Sequence, residues 1–265
     1  MYDPSEITVP QKQPSEHDQN PPHFQRTQEE DPDFSEYRET GEFLPGFHSH
    51  HRDEADLAED IALYYGMTSF TDAYVGRILD RLDELGLAED TIVVFTSDHG
   101  HFFGQHGLTA KGPFHYEDMI RLPFIVRYPG EVPAGRRSSA LQSLTDLAPT
   151  FLSFAEVDIP RAMTGVDQSA VWRGETDRER DHVVVENRQE PTSMFCKTYV
   201  DDWYKFTVYF DREYGELFDL ETDPEERTNL WDDPDHQSLK HELHRELLFA
   251  EMEKEPLRMP RITGA

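Results

Sequence analysis

Asp98, His99 and Lys111 are the side chains whose types and spacing could do chemistry. A carboxylate and a neutral imidazole can share a divalent ion, and such an ion can be the largest local charge in a site. An ammonium nearby adds a compact point charge suited to an oxyanion. The three lie in or just after the stretch Thr91-Ile-Val-Val-Phe-Thr-Ser-Asp98-His99-Gly100. Ile92 to Phe95 is an uninterrupted apolar run, which reads as a strand covered on both faces in a mainly parallel sheet. Asp98 and His99 then fall at the carboxyl end of that strand, the edge where open α/β sheets bind ligands. Neighbouring strand residues point to opposite faces, so both can serve one ion only if the chain turns, which Gly100 permits. Gly104 and Gly107 keep the following loop tight enough to return Lys111 to the strand end. Two ligands do not close a metal site, so the remaining donors must come from elsewhere.

The elements that position this stretch can be read on either side of it. Asp56 to Leu85 is the best helix, with Leu57, Ile61, Tyr64, Thr68, Val75, Leu79 and Leu82 repeating every three or four residues and Gly86 as its stop. It spans about 45 Å at 1.5 Å per residue, enough to cross a sheet. Asp72 lies on this stripe and is expected as a buried, hydrogen-bonded carboxylate. Leu122 to Tyr128 reads as a second buried strand of the parallel type. A helix follows from Asp146, its expected N-cap, to about Glu156. Past Gly165 the pattern becomes short strands, 182–186, 195–200, 203–210 and 216–219, and then a helix over 237–253 with Leu239, Leu243 and Leu247 on one face. Asp201-Asp202 reads as a hairpin turn between two of these strands. The fold class expected is α/β: part of an α/β sandwich, then a small antiparallel sheet with a C-terminal helix.

Residues 1–55 hold seven of the 18 prolines and little apolar periodicity. They are expected to form an extended polar segment, laid over a domain or disordered. His48-Ser49-His50-His51 within it reads as a solvated loop, since no carboxylate or cysteine stands at ligand spacing. The expected division is therefore 1–55, 56–164 and 165–265.

Charge is the outlier of the composition. Asp and Glu number 54 against 25 Lys and Arg, a net charge of -29. A surface so acidic and so poor in lysine is expected of a protein adapted to high salt, where screening over roughly 3 Å at 1 M suppresses self-repulsion. The same field disfavours nucleic acid and anionic lipid as partners. No stretch approaches the roughly 20 apolar residues of a membrane span. The first residues lack a signal-peptide pattern, so a cytoplasmic location is expected. The one cysteine, Cys196, excludes an internal disulfide and reads as a packed strand residue.

Several segments together resemble a known family. Ser97-Asp98-His99-Gly100, Gly104-Gln105-His106-Gly107, Ala110-Lys111, Tyr116-Glu117 and Leu122-Pro123-Phe124-Ile125 resemble the carboxyl-terminal signature of the sulfatases, in the alkaline phosphatase superfamily. The pattern is nearest the iduronate-sulfatase-like and phosphonate monoester hydrolase-like branches. Asp146-Leu-Ala-Pro-Thr150 is similar to the next helix of that family. Gly215-Glu-Leu-Phe-Asp-Leu-Glu-Thr-Asp-Pro-Glu-Glu226 with Asn229-Leu230 resembles its later "ELYDL..DP.E..NL" segment, and Tyr64 to Leu82 its long helix.

The resemblance implies a sulfuric ester hydrolase with an alkaline-phosphatase-like sandwich. Asp98 and His99 would bind a divalent ion, commonly calcium, with manganese or zinc as alternatives. Lys111 would contact the sulfate and assist the leaving-group oxygen, and His106 is a further candidate for a substrate contact. The substrate would be a small anionic sulfate ester. Complete members also carry an Asp-Asp metal pair and a Cys-x-Pro-Ser-Arg motif whose cysteine becomes formylglycine, and neither occurs here in that form. The chain is therefore expected to be the carboxyl-terminal portion of such an enzyme, with a separate amino-terminal half as a possible partner. A phosphonate or phosphodiester hydrolase of the same superfamily, or a non-catalytic remnant, are the alternatives.

Overall fold

A computed structural model describes residues 1–37, 46–188 and 194–254. It divides into two compact units, Met1–Gly130 with Arg188–Phe195 and Glu131–Asn187 with Cys196–Ala265.

The first unit opens with a chain that is mostly irregular yet packed. Its short helix α1 (Pro22–Arg26) places His23 and Phe24 in the interior. Phe24 meets the rings of Phe114 and Tyr116 at 4.9 and 5.8 Å, and Phe47 meets Tyr37 at 5.2 Å. This segment thus supplies aromatic core in place of the periodic apolar pattern it lacks. Nor is His50 in a solvated loop: it is buried, and its Nδ1 accepts the Thr109 N–H at 2.9 Å.

Helix α2 (Glu54–Glu84) begins with Glu54 and Asp56, which suit the positive end of the helix dipole. It ends as its sequence predicts. Gly86 adopts φ +66°, its N–H bonds Asp83 O, and the Leu87 N–H bonds Leu82 O, the paired closure of a Schellman motif. Leu57, Ala58 and Ile61 pack with Val9 in a small core. Asp72, expected to be buried, is exposed instead, because no described element covers its part of the helix.

Strands β1 (Val93–Thr96), β2 (Phe102–Phe103) and β3 (Thr109–Ala110), helix α3 (Glu117–Ile120) and strand β4 (Phe124–Arg127) complete the unit. β1 pairs with β4 from Val93 opposite Arg127 to Thr96 opposite Phe124. The pairing is antiparallel, against the parallel arrangement expected. The reason lies between them: the chain is spent on the β2–β3 hairpin and a four-residue helix, and no crossover helix returns it for parallel pairing. Burial on both faces is not found either, since Phe95 and Ile125 are exposed.

In the second unit, Ser143 caps a 3-10 turn over Leu144–Asp146 ahead of α4 (Leu147–Phe154), with α5 (Ser169–Arg173) beyond. Asp146 closes that capping box rather than capping α4 itself. Buried, it accepts from Ser143 N–H and Val166 N–H at 2.9 and 2.8 Å and pairs with Arg180 at 3.0 Å. Strands β5 (Val183–Arg188), β6 (Phe195–Val200), β7 (Tyr204–Tyr209) and β8 (Gly215–Asp219) form a sheet in that order. Asp201 makes the β6–β7 turn by accepting the N–H groups of Trp203 and Tyr204, as its position between two strands predicts. Helix α6 (Gln237–Lys254) brings Leu243, Leu247 and Ala250 against Tyr199, Phe206, Leu217 and Trp231. Cys196 is a buried strand residue, its thiol pushed up by desolvation, which leaves it no nucleophilic character.

Candidate active site

β1 ends at Thr96, and the chain then turns sharply through Ser97, Asp98 and His99. Ser97 Oγ lies 3.0 Å from His99 O, and the His99 N–H donates to Asp98 Oδ1 at 3.0 Å. That N–H holds the Asp98 carboxyl below its ordinary pKa, so the side chain is a carboxylate, and it stands open to solvent. Gly100 is required for close approach rather than for an unusual φ. A Cβ there would lie 1.8 Å from Asp118 O, and the Gly100 N–H bonds Met119 O at 2.8 Å. The end of α3 is thereby locked against the Asp98–His99 turn.

His99 Nδ1 lies 2.7 Å from Gly100 O and donates to it, which leaves a lone pair on Nε2. That nitrogen lies 3.5 Å from Asp98 Oδ2 and 3.1 Å from Lys111 Nζ. Lys111 arrives there by register. Phe102 opposes Ala110 and Phe103 opposes Thr109, so the residue after β3 returns beside the residues before β2. Left-handed glycines at 104 and 107 shape the connection, as does Ala110 at φ 60°. An imidazole lone pair and a carboxylate oxygen facing one another suit a divalent cation, and the Nδ1–H to carbonyl bond is the outer support that metal-binding histidines use. Among the described residues no group of three or more His, Cys, Asp or Glu could hold a metal ion, so these two donors are an incomplete set.

His106 occupies a different environment. It is buried, its ring stacks on Tyr116 at 3.7 Å, and its Nδ1 lies 2.5 Å from Glu16 Oε1, itself fully buried. Nε2 lies 3.5 Å from Asp118 Oδ2. Both ring nitrogens therefore face protein carboxylates. The backbone of His106 is also held, since His17 Nε2 donates to its carbonyl at 2.8 Å, and Gln28 Nε2 donates to Gly107 O at 3.1 Å. Glu16, His17, Gln28 and His50 fasten the loop that delivers Lys111. Sequence reasoning did not find them, because each lies some 60 to 90 positions from its partner in a segment without periodicity.

The Sulfatase family profile matches residues 13–157. The chain belongs to the sulfatase family. A second profile, N-sulphoglucosamine sulphohydrolase, C-terminal, matches residues 104–254 of this sulfatase chain. An N-acetylglucosamine-6-O-sulfatase of Bacteroides thetaiotaomicron is 32% identical over 187 residues, which are 68% of this chain and 33% of that protein. An arylsulfatase of Clostridium perfringens is 32% identical over 196 residues, 72% of this chain and 40% of its own. The chain thus spans well under half the length of these relatives. Among solved structures, one in complex with its substrate D-glucosamine-2-N,6-O-disulfate is 28% identical with a TM-score of 0.70, covering 77% of this chain and 43% of that one. The phosphonate monoester hydrolase of Silicibacter pomeroyi superposes with a TM-score of 0.79 at 24% identity, over 98% of this chain and 53% of its own, and so shares the fold. The expected sulfatase-type α/β architecture is what the chain adopts.

Proposed function

We propose that this chain carries the carboxyl-terminal half of a sulfuric ester hydrolase, and that the completed protein cleaves sulfate monoesters. The observation that carries the reading is Lys111 Nζ at 3.1 Å from His99 Nε2, beside the Asp98 carboxylate, in a sulfatase-family chain. Asp98 and His99 would hold a divalent ion, calcium in the first place and manganese or zinc otherwise, with further donors from outside this chain. When bound, that ion supplies positive charge against the developing charge on the sulfate oxygens. Lys111 contacts a sulfate oxygen and assists the bridging oxygen as the ester breaks. In a chain of net charge -29, the Lys111 ammonium, and the ion when bound, would supply the positive charge that draws an anion to this point.

The relatives named for N-acetylglucosamine-6-O-sulfate and bound to a glucosamine disulfate make a sulfated amino sugar the first substrate to test. The phosphonate monoester hydrolase superposition favours a second reading in which the same half-site serves a phosphonate monoester. The experiment is a substrate panel of 4-nitrophenyl sulfate, glucosamine 6-sulfate and phenylphosphonate monoester, run with the chain joined to its nucleophile-bearing half. Sulfate turnover exceeding phosphonate turnover supports the main reading, and the reverse order supports the second.

A further inference from the structure

Beside Lys111 the β2–β3 hairpin carries aromatic rings that the sulfate chemistry does not use. Side chains alternate along a strand, so the burial of Phe102 sends His101 and Phe103 to the opposite, outer face. Their rings meet there at 4.5 Å, and Tyr64 of α2 lies against both, 4.6 Å from Phe103 and 6.2 Å from His101. The rings of Tyr64 and His101 are nearly parallel, at 15°. Phe103 anchors the group by packing on the core of Val9, Leu57, Ala58 and Ile61, whereas Tyr64 and His101 are exposed.

The cluster adjoins the anion position. Phe102 pairs with Ala110, so continuing that register by one residue sets Lys111 opposite His101. Residues opposite one another in an antiparallel pair have Cβ atoms about 5 Å apart. His99 and Lys111 are both close enough to act on the charge of His101, and Asp60 is as well. A group esterified to a sulfate at Lys111 therefore lies within reach of these rings.

The chemistry of the platform selects its occupant. The face of an aromatic ring is negative and attracts weakly positive C–H bonds, which a pyranose presents on one side. A sugar also has a rim of hydroxyl or amino groups, and ligand sites meet such a rim with a few placed polar groups among apolar ones. Asp60 supplies one: it stands four residues before Tyr64 on the same face of α2, its carboxylate held by Arg52 at 3.0 Å. An aryl group has no rim for that carboxylate to meet. Resting on the sulfatase reading above, we infer that Tyr64, His101 and Phe103 form the platform on which the pyranose of a sulfated amino sugar stacks, its sulfate at Lys111 and its polar edge toward Asp60. These three rings set which ester binds and take no part in breaking it.

The test is a ligand-observed NMR titration of the chain with glucosamine 6-sulfate, ethyl sulfate and phenyl sulfate, calcium present. Glucosamine 6-sulfate is expected to bind about tenfold more tightly than the ring-free ethyl sulfate, with saturation transfer strongest at the protons of one sugar face. The double variant Tyr64→Ala, His101→Ala removes that difference and leaves ethyl sulfate binding unchanged. His101→Phe retains it, because the ring face and not a ring nitrogen makes the contact. Both altered side chains are exposed, so the thermal melt stays at the wild-type value. If the double variant melts lower, His101→Ala alone is read for a loss of about threefold. The proposal is overturned if glucosamine 6-sulfate and ethyl sulfate bind alike, if their difference survives the double variant, or if phenyl sulfate binds more tightly than the sugar. Ring-dependent binding of the sugar ester, in a protein that with its nucleophile-bearing half turns over the phosphonate faster than any sulfate, leaves the platform standing and removes the functional reading alone.

Discussion

Lys111 Nζ lies 3.1 Å from His99 Nε2, twelve positions back in the chain, with the β2–β3 hairpin closing the stretch between them. The ammonium thus donates to the same lone pair that a metal ion would use. In the chain by itself, two ligands and a competing cation give divalent binding no tighter than roughly millimolar. Replacing Lys111 by Met removes the like charge and strengthens calcium binding by roughly tenfold. Titration calorimetry of the wild type, Lys111→Met and the Asp98→Ala, His99→Ala double variant checks this. Submicromolar binding that survives the double variant would place the ion elsewhere.

Gly100 sits against the backbone of α3, and no rotamer change can make room for a methyl group there. Gly100→Ala costs about 3 kcal/mol and loosens the Asp98–His99 turn. Gly76 offers the control, since nothing lies within 4 Å of a Cβ at that helix position. Gly76→Ala stabilises by about 0.5–1 kcal/mol. Hydrogen exchange of the amides at 98–100 and 117–120, measured in both variants, distinguishes the two outcomes.

The buried pair of Glu16 and His106 joins the amino-terminal segment to the loop carrying Lys111. Removing one partner leaves the other without it in the interior, so Glu16→Ala destabilises by about 3–5 kcal/mol. The loss appears as faster exchange of the amides at 104–110. If exchange there stays at the wild-type rate, the pair does not hold the loop.

His17 and His50 give the fold a pH dependence of definite sign. Burial pushes both down to about 4 from the ordinary 6.5, and each is hydrogen-bonded as the neutral ring. His50 Nδ1 accepts from Thr109 N–H while Nε2 lies 2.9 Å from Gly46 O. The unfolded chain therefore binds protons that the folded chain refuses. This contribution is complete above pH 6.5 and is lost as pH falls toward 4, by about 2–3 kcal/mol for the two together between pH 7.5 and 5.5. Urea unfolding followed by tyrosine fluorescence shows the drop, and His50→Gln reduces its slope.

How far the sequence was legible follows from the range of each signal. The Gly86 stop, the Asp201 turn and the face of α6 rest on neighbours within a few residues and are found as read, while α2, read as Asp56 to Leu85, runs Glu54–Glu84. Strand direction is not such a signal. Apolar runs at 92–95 and 122–126 do not record that the chain between them forms a hairpin instead of a crossover helix. Asp72 failed for a related reason: periodicity marks an apolar face but not what covers it. Asp98, His99 and Lys111 were visible because residue type and a short glycine loop place them together. Glu16 and His50 were not, since an isolated carboxylate or imidazole in a proline-rich segment carries no trace of a partner 90 or 59 positions away.

The central claim is that Asp98, His99 and Lys111 form one half of a sulfatase active site. It is tested most directly by 4-nitrophenyl sulfate turnover with calcium, measured for the chain alone and for the chain combined with its nucleophile-bearing half. The account predicts no turnover alone, turnover on combination, and a fall in kcat of about 10²–10³ with Lys111→Ala in the combined protein. Turnover by the chain alone, or combined turnover indifferent to Lys111→Ala, contradicts it.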